Sequence, residues 1–443
     1  MNRKSLSLIM TLAVIVSVAV GSPSSAAESS DIRVQSIVDD VLSLFNERYF
    51  DPREAEKMSA YVRGKLARGE YDGLESLDGF ASQLTADLRE VSEDGHIVIY
   101  RALSDAFFKA DSDKLTDADI ARHAHGNFGF LEARRLTGNI GYLKFNYFDY
   151  PEIAGSKATA AITFVADCDA VIFDLRENSG GKESMVQFLL SYLFEEQTHF
   201  LDVYGRNGDV IKQSWSLPYV PGPKLFDTPV FVLTSNHTGS GAEAFSYHLQ
   251  SYGRATIVGE TTMGIAHWVD IVDLPEHSLR VQVPDARPEN PVTGTNWEGT
   301  GVEPDIRSTA AEAMAVAHVF AMEQLIEETT DDEQRRDRLW DMDAVRAEAS
   351  PMEWIRQRML PYTGIYSDGK NSIIIKDEQL YWKYSAEVDY ALLPLHLDMF
   401  AFDDTNDLRF KFVRDERGAV SGFQLVYKNG QTGDIRPRTG DLR

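Results

Sequence analysis

Apolar runs alternate with helix signals between about residues 128 and 306, and no other feature of the sequence constrains the fold as strongly. The strand-like runs are residues 139–148 (NIGYLKFNYF), 169–176 (DAVIFDLR), 228–235 (TPVFVLTS) and 255–260 (ATIVGE). The helix-like runs between them are residues 182–194 (KESMVQFLLSYLF) and 241–253 (GAEAFSYHLQSYG). Because strand, glycine turn and helix repeat, we expect right-handed crossovers in a layered α/β domain at residues 126–310.

The segments on either side of this region have different periods. Residues 31–125 place apolar side chains such as Ile37, Val41 and Leu44 at helical spacing and predict an N-terminal helical domain. Residues 311–350 are rich in charge and predict a helical connector. Residues 351–443 alternate apolar and polar side chains between Asp-Gly, Arg-Gly and Asn-Gly turns, which predicts an antiparallel β module.

The first 27 residues are typical of a secretory signal peptide. Arg3 and Lys4 precede an apolar stretch over residues 6–20, and small residues follow to Ala26 and Ala27. The apolar stretch is shorter than a membrane span needs. We therefore expect an exported protein, periplasmic or secreted, without a stable membrane anchor after cleavage.

Charge and cysteine content limit the partners and the redox chemistry. The chain carries 69 acidic and 44 basic residues, a net charge of -25, which disfavours a nucleic-acid partner. Cys168 is the only cysteine of the sequence, so no intramolecular disulfide is possible. We expect no metal, because His123 and His125 have no third ligand at a suitable spacing. We also expect no organic cofactor, and the sequence lacks a Walker lysine pattern and a dinucleotide GxGxxG motif.

Ser240 lies in the segment SNHTGSGAEAF (residues 235–245), between two glycines at a strand-to-helix turn. Several hydrolase folds present a nucleophilic hydroxyl on such a turn. The competing interpretation is a helix N-cap, since Glu243 three residues later completes a capping box. These residues alone leave both interpretations open.

A nucleophilic serine requires a base and donors for the oxyanion. No lysine occurs in VGETTMGIAHWVD (residues 258–270), so histidine is the candidate base, and His96 and His267 lie near glycine turns. Glu298 is the candidate acid of the triad, and Glu303 competes with it. The Gly241 amide is placed to bind an oxyanion, and the glycine loop at residues 178–181 offers a second donor.

Four segments together resemble the serine peptidase family that contains tail-specific (C-terminal processing) proteases, the tricorn core and interphotoreceptor retinoid-binding protein. The segments are DLREVSEDGHI (87–97), GYLKFNYF with VIFDLRENSGG (141–181), VFVLTSNHTGSGAEAF through GIAH (230–267) and NPVTGTNWEGTGVEPDI (290–306). The resemblance spans residues 33–307 and is strongest to the tricorn-like and retinoid-binding-protein-like branch.

This resemblance implies a crotonase-like or ClpP-like spiral of ββα units. It also implies that Ser240 is the nucleophile, His96 the base and Glu298 the acid, with Gly180 as oxyanion donor beside Gly241. The lysine of the tail-specific branch is replaced by isoleucine at position 265. Two residues depart from the relatives: glycine precedes His96 where tricorn has a serine, and Ile265 stands in a glycine position.

The sequence therefore predicts an exported serine hydrolase that cleaves peptide bonds in a peptide or protein substrate through an acyl-enzyme. One alternative is a non-catalytic binding protein for apolar ligands or peptides on the same scaffold. A second alternative is an esterase for small acyl groups, because the acyl-transfer chemistry is the same.

Overall fold

A computed structural model describes residues 34–74, 76–102, 115–367, 369–385 and 388–442. The predicted signal peptide at residues 1–27 lies outside these described residues. Within them, no helix combines the length and the apolar character that crossing a membrane requires.

Some helices begin at a side-chain cap, and the second helix is an example. Pro52 takes the first position of the second helix, and the Asp51 carboxylate accepts hydrogen bonds from the amides of Arg53 and Glu54. The described helices are α1 (Val34–Arg48), α2 (Pro52–Ala67), α3 (Leu77–Ser92), α4 (Asp117–His125), α5 (Pro151–Val165), α6 (Glu183–Leu190), α7 (Gly241–Ser251), α8 (Ala313–Glu328), α9 (Asp332–Ala349) and α10 (Arg356–Met359).

The strands form three sheet systems. The first eleven are β1 (Val98–Arg101), β2 (Phe130–Leu136), β3 (Ile140–Phe145), β4 (Ala170–Asp174), β5 (His199–Tyr204), β6 (Val210–Trp215), β7 (Val230–Thr234), β8 (Thr256–Gly259), β9 (Trp268–Leu274), β10 (Leu279–Glu289) and β11 (Ile306–Arg307). The others are β12 (Gly364–Tyr366), β13 (Asn371–Lys376), β14 (Gln379–Lys383), β15 (Asp389–His396), β16 (Met399–Ala401), β17 (Leu408–Arg414), β18 (Val420–Tyr427) and β19 (Arg436–Gly440).

The central sheet has six strands in the order β11-β8-β7-β4-β3-β2, and all neighbours except β3 and β2 are parallel. Strands β4 and β7 are buried at every position, as continuous apolar runs in a covered sheet require. Val171 and Phe173 face the core with α5, α6 and α7, whereas Ile172 faces α8. The chain is thus a mixed α/β protein with helices on both faces of this sheet.

A second sheet joins the N-terminal helices to the central region. Its path is β1-β10-β5-β6, and β9 pairs with β10. In this sheet Val98 of β1 pairs with Gln282 of β10 in antiparallel orientation. This pairing holds the residues just before β1, which include His96, close to the segment between β8 and β9, which includes His267. The sequence did not predict β5, β6, β9 or β10, because prolines at positions 284 and 288 interrupt the apolar pattern of the longest of them.

The residues predicted to form an antiparallel β module form a closed barrel, β12 through β19, in which β12 pairs with β19. Aromatic side chains fill its interior: Tyr362, Tyr366, Trp382, Phe400, Phe402, Phe410, Phe412 and Phe423. The barrel is therefore a packed core rather than an open channel.

Candidate active site

Ser240 lies on a tight turn between the end of β7 and the start of α7. Its backbone has φ 49° and ψ -116°, a combination that a residue with a Cβ adopts only under strain. The residue is half-buried and lines a cavity of about 630 Å³. A strained serine that faces a cavity at a strand-to-helix turn is the geometry by which hydrolases expose a nucleophile.

Glu243 holds this turn together and is completely buried. One carboxylate oxygen accepts from the Thr262 hydroxyl and the Gly264 amide, both at 2.6 Å. The other accepts from the amides of Ser240 at 2.8 Å and Ile265 at 3.0 Å. Burial raises the pKa of Glu243 to about 7, while the four donors favour the ionised form. Glu243 therefore fixes the serine turn to the loop that leads to His267.

Replacement of Glu243 by glutamine is expected to destabilise the protein by about 1–3 kcal/mol above pH 8, where the carboxylate is ionised. Glutamine has nearly the same size, but its amide nitrogen faces donors, so at least one buried backbone N–H loses its acceptor. Urea unfolding of the variant measures the loss. Glu303→Gln is the matched control, because the exposed Glu303 carboxylate forms an ion pair with Arg307 at the surface. Equal stabilities of the two variants would contradict the structural role of Glu243.

His96 lies on the wall of the same cavity, just before β1. Its amide donates to Asp94 Oδ1 at 2.9 Å, and its Nδ1 atom lies 3.9 Å from the same oxygen. Nδ1 is buried and has no hydrogen-bond partner among the described residues. Burial lowers the pKa of His96 to about 4, so the imidazole is uncharged near neutral pH.

His267 also lines the cavity and is oriented by Asp94. The His267 Nδ1 atom lies 2.8 Å from Asp94 Oδ2, which also accepts from the Tyr49 hydroxyl at 3.1 Å. The Phe50 ring packs on the imidazole at 4.3 Å between centroids. Asp94 thus contacts both candidate bases. Its position two residues before a candidate histidine is the one signal in the sequence that could have identified Asp94 as a site residue.

Glu298 contacts His267 and not His96. Its Oε2 atom accepts from the amides of Ala266 at 2.5 Å and His267 at 3.1 Å, and lies 3.5 Å from His267 Nδ1. No ion pair within 4.0 Å joins Glu298 to His96, although the structure describes both residues. Burial raises the pKa of Glu298. The predicted contact of Glu298 with His96 is therefore not found among the described residues, and the carboxylate beside His96 is that of Asp94.

The glycine loop after β4 packs directly against the serine turn. A Cβ atom on Gly180 would lie 2.7 Å from the Gly241 nitrogen, and φ at Gly180 is 108°. The Gly180 amide, however, donates to Asn178 Oδ1 at 2.9 Å. The amides of Gly181 and Gly241 have no acceptor among the described residues, and both glycines line the cavity. The geometry thus offers Gly181 instead of Gly180 as the second donor.

The cavity wall combines apolar and aromatic side chains with charged ones. Val186, Leu190, Phe200, Ala244 and Trp297 belong to the first group, and Lys182, Glu183 and Lys212 belong to the second. His248 also lines it, and burial lowers the pKa of His248 to about 3, so this imidazole is uncharged. Its Nδ1 atom accepts from Asn290 at 2.9 Å. Asp94, His267 and Glu298 are the described residues grouped closely enough to hold a metal ion.

Two family models match the chain. Residues 139–308 match peptidase family S41, and residues 31–120 match the N-terminal domain of Peptidase_S41 in eukaryotic IRBP. Together these two matches cover the serine turn, both candidate histidines, Asp94 and Glu298.

Individual relatives match over shorter stretches. A carboxyl-terminal-processing protease of Picosynechococcus is 29% identical over 143 residues, 31% of this chain and 32% of the relative. A carboxy-terminal-processing protease of Bartonella bacilliformis is 27% identical over 179 residues, 39% of each chain. This chain therefore matches only about a third of the length of these curated relatives. The solved photosystem II D1 C-terminal processing protease is 15% identical with a TM-score of 0.41, over 63% of this chain and 94% of that one.

Proposed function

The chain belongs to peptidase family S41, and we propose that it is a serine hydrolase that cleaves peptide bonds, with Ser240 as the nucleophile. The observation that carries the proposal is the strained Ser240 turn, which opens into one cavity together with His96 and His267. A binding protein needs neither the strain nor the histidines.

In the proposed mechanism His96 removes the proton of the Ser240 hydroxyl as the oxygen attacks the substrate carbonyl. Asp94 holds His96 through the backbone amide and stabilises the imidazolium that forms. The amides of Gly241 and Gly181 donate to the oxyanion. The imidazolium then protonates the leaving amine, and an acyl-enzyme remains. Water, deprotonated by His96, releases the acid and restores Ser240.

His267 is the second candidate for the base, because its Nδ1 atom lies 2.8 Å from a buried carboxylate, the arrangement of a triad histidine. Labelling by a fluorophosphonate probe distinguishes the two. We expect His96→Ala to slow labelling of Ser240 by a factor of about 10² to 10⁴ and His267→Ala to slow it less. The reverse order would assign the base to His267. If both variants were labelled as fast as the unmodified chain, neither histidine would act as the base for Ser240, and this would contradict the proposed mechanism.

Peptide and ester substrates separate the proposed peptidase from an esterase. Hydrolysis of small acyl esters without cleavage of any peptide by the same preparation would favour the esterase. Absence of both activities and of probe labelling would favour the non-catalytic binding protein.

The proposal extends to architecture and location. It includes a ClpP-like spiral of ββα units at residues 126–310, a helical domain at 31–125, a helical connector at 311–350 and a β module at 351–443. The parallel pairing of β3, β4, β7 and β8 supports the spiral. The same proposal includes export by a signal peptide at residues 1–27, to the periplasm or the external medium. It also includes a peptide or protein as the substrate.

A further inference from the structure

Asp94, His267 and Glu298 form a compact ligand cluster, of which His267 lines the cavity. The His267 Nδ1 atom and one oxygen of each carboxylate lie within 4.8 Å of one another. Asp94 is 1% and His267 is 9% exposed, and the Glu298 side chain is 16% exposed. With His96 as the base, the proposed hydrolysis uses Asp94 and requires no proton transfer by His267 or Glu298.

From this geometry we propose that the cluster is a binding site for a divalent transition-metal cation of the Zn²⁺ class, whose binding inhibits Ser240. Bonds of about 2.0 Å at tetrahedral angles place two ligand atoms about 3.3 Å apart. His267 Nδ1 lies 3.5 Å from Glu298 Oε2 and 2.8 Å from Asp94 Oδ2. Each of these two distances differs by only a few tenths of an ångström from the spacing of about 3.3 Å that a tetrahedral ion requires.

Two buried polar atoms without hydrogen-bond partners among the described residues lie at this cluster. Glu298 Oε1 belongs to the cluster itself, is shielded from solvent and has no hydrogen-bond partner among the described residues. The Nδ1 atom of the adjoining His96 is also buried and also has no hydrogen-bond partner among the described residues. His96 as a whole is only 6% exposed. That atom lies 3.9 Å from Asp94 Oδ1. Unpartnered buried polar atoms cost free energy, and a bound ion is one of the species that relieve them.

The donor set selects the class of cation. One neutral imidazole and two carboxylates balance the charge of a divalent ion. Imidazole nitrogen disfavours Mg²⁺ and Ca²⁺, which prefer oxygen ligands, and suits Zn²⁺ and its neighbours in the transition series. Binding requires the lone pair of His267 Nδ1, so that imidazole carries its proton on Nε2. Three protein ligands also leave one position of a tetrahedral ion open.

Inhibition follows from the shared carboxylate. Asp94 supports His96 in the proposed mechanism, and its charge would be neutralised by a cation held between its Oδ2 atom and His267. The His96 imidazolium that forms during attack would then lose its stabilising partner. This inhibitory half rests on the proposed function, whereas cation binding itself does not.

The binding half is tested with the Ser240→Ala protein, which needs no activity. After chelator treatment, calorimetric titration with Zn²⁺ at neutral pH is expected to show one site of micromolar or tighter affinity. When His267→Ala is added to Ser240→Ala, the affinity for Zn²⁺ is expected to fall at least about 100-fold. When Glu298→Gln is added instead, the affinity is expected to fall at least about 10-fold. His277→Ala is the matched control, because it removes a histidine that pairs with Asp40 at 2.6 Å without a second carboxylate. Circular dichroism confirms that each variant is folded.

Absence of a stoichiometric site, or equal affinity in the His267→Ala and His277→Ala proteins, would overturn the site. If His267→Ala fails to fold, the Glu298→Gln comparison decides. The inhibitory half is tested by probe labelling of the unmodified chain, which saturating Zn²⁺ is expected to slow at least about tenfold. Unchanged labelling would overturn inhibition, whereas no labelling even without Zn²⁺ would instead overturn the proposed hydrolase.

Discussion

Ser240→Ala is expected to reduce peptide hydrolysis by a factor of about 10⁴ to 10⁶ and to abolish fluorophosphonate labelling. The hydroxyl oxygen is the atom that forms the acyl-enzyme, so its removal leaves only the oxyanion donors and the binding surface. Stability should change little, because Glu243 binds the backbone amide of Ser240, which alanine retains. Steady-state kinetics with a peptide substrate measures the loss of kcat.

Ser179→Ala is the matched control for this result. Ser179 is exposed and lines the same cavity, but it lies on the glycine loop and not on the strained turn. Its variant should keep kcat within about threefold of the unmodified enzyme, as expected for a solvent-exposed contact. If Ser240→Ala retained labelling while Ser179→Ala lost it, the nucleophile would lie on the other loop.

Asp94→Asn is expected to lower kcat by a factor of about 10² to 10⁴. The substitution removes the charge that stabilises an imidazolium, and the buried carboxylate contacts both His96 and His267. The loss is thus expected whichever histidine is the base. KM should change much less, because Asp94 is not among the residues that line the cavity. A melting curve is needed in parallel, since Tyr49 also donates to this carboxylate.

Glu298→Gln provides the comparison for the orienting acid. Glu298 accepts two backbone amides and lies beside His267, so its neutral variant should lose less activity than Asp94→Asn. A larger loss in Glu298→Gln than in Asp94→Asn would restore Glu298 to the role that the resemblance implies. Equal losses would indicate that both carboxylates act on one histidine.

Local signals in the sequence were sufficient to predict the central strands and the serine turn. Strands β4 and β7 are continuous apolar runs bounded by turn residues, and the glycines beside Ser240 mark the start of α7 directly. The sequence did not predict the second sheet, because β10 contains two prolines and its partners come from distant segments. Pairing over such separations depends on tertiary packing and leaves no periodic pattern in any one segment.

The sequence by itself determined which residue types are available to the site: a serine between glycines, two histidines near glycine turns, and no lysine in the segment after the nucleophile. Only the tertiary structure decided their partners. The pairing of β1 with β10 brings Asp94 beside His267, residues 173 positions apart, and places Glu298 on His267 and not on His96. The Gly180 amide is likewise engaged by Asn178 because of the fold of that loop. Hydrogen-bond partners depend on separations of a few tenths of an ångström, which side-chain identity and spacing along the chain do not specify.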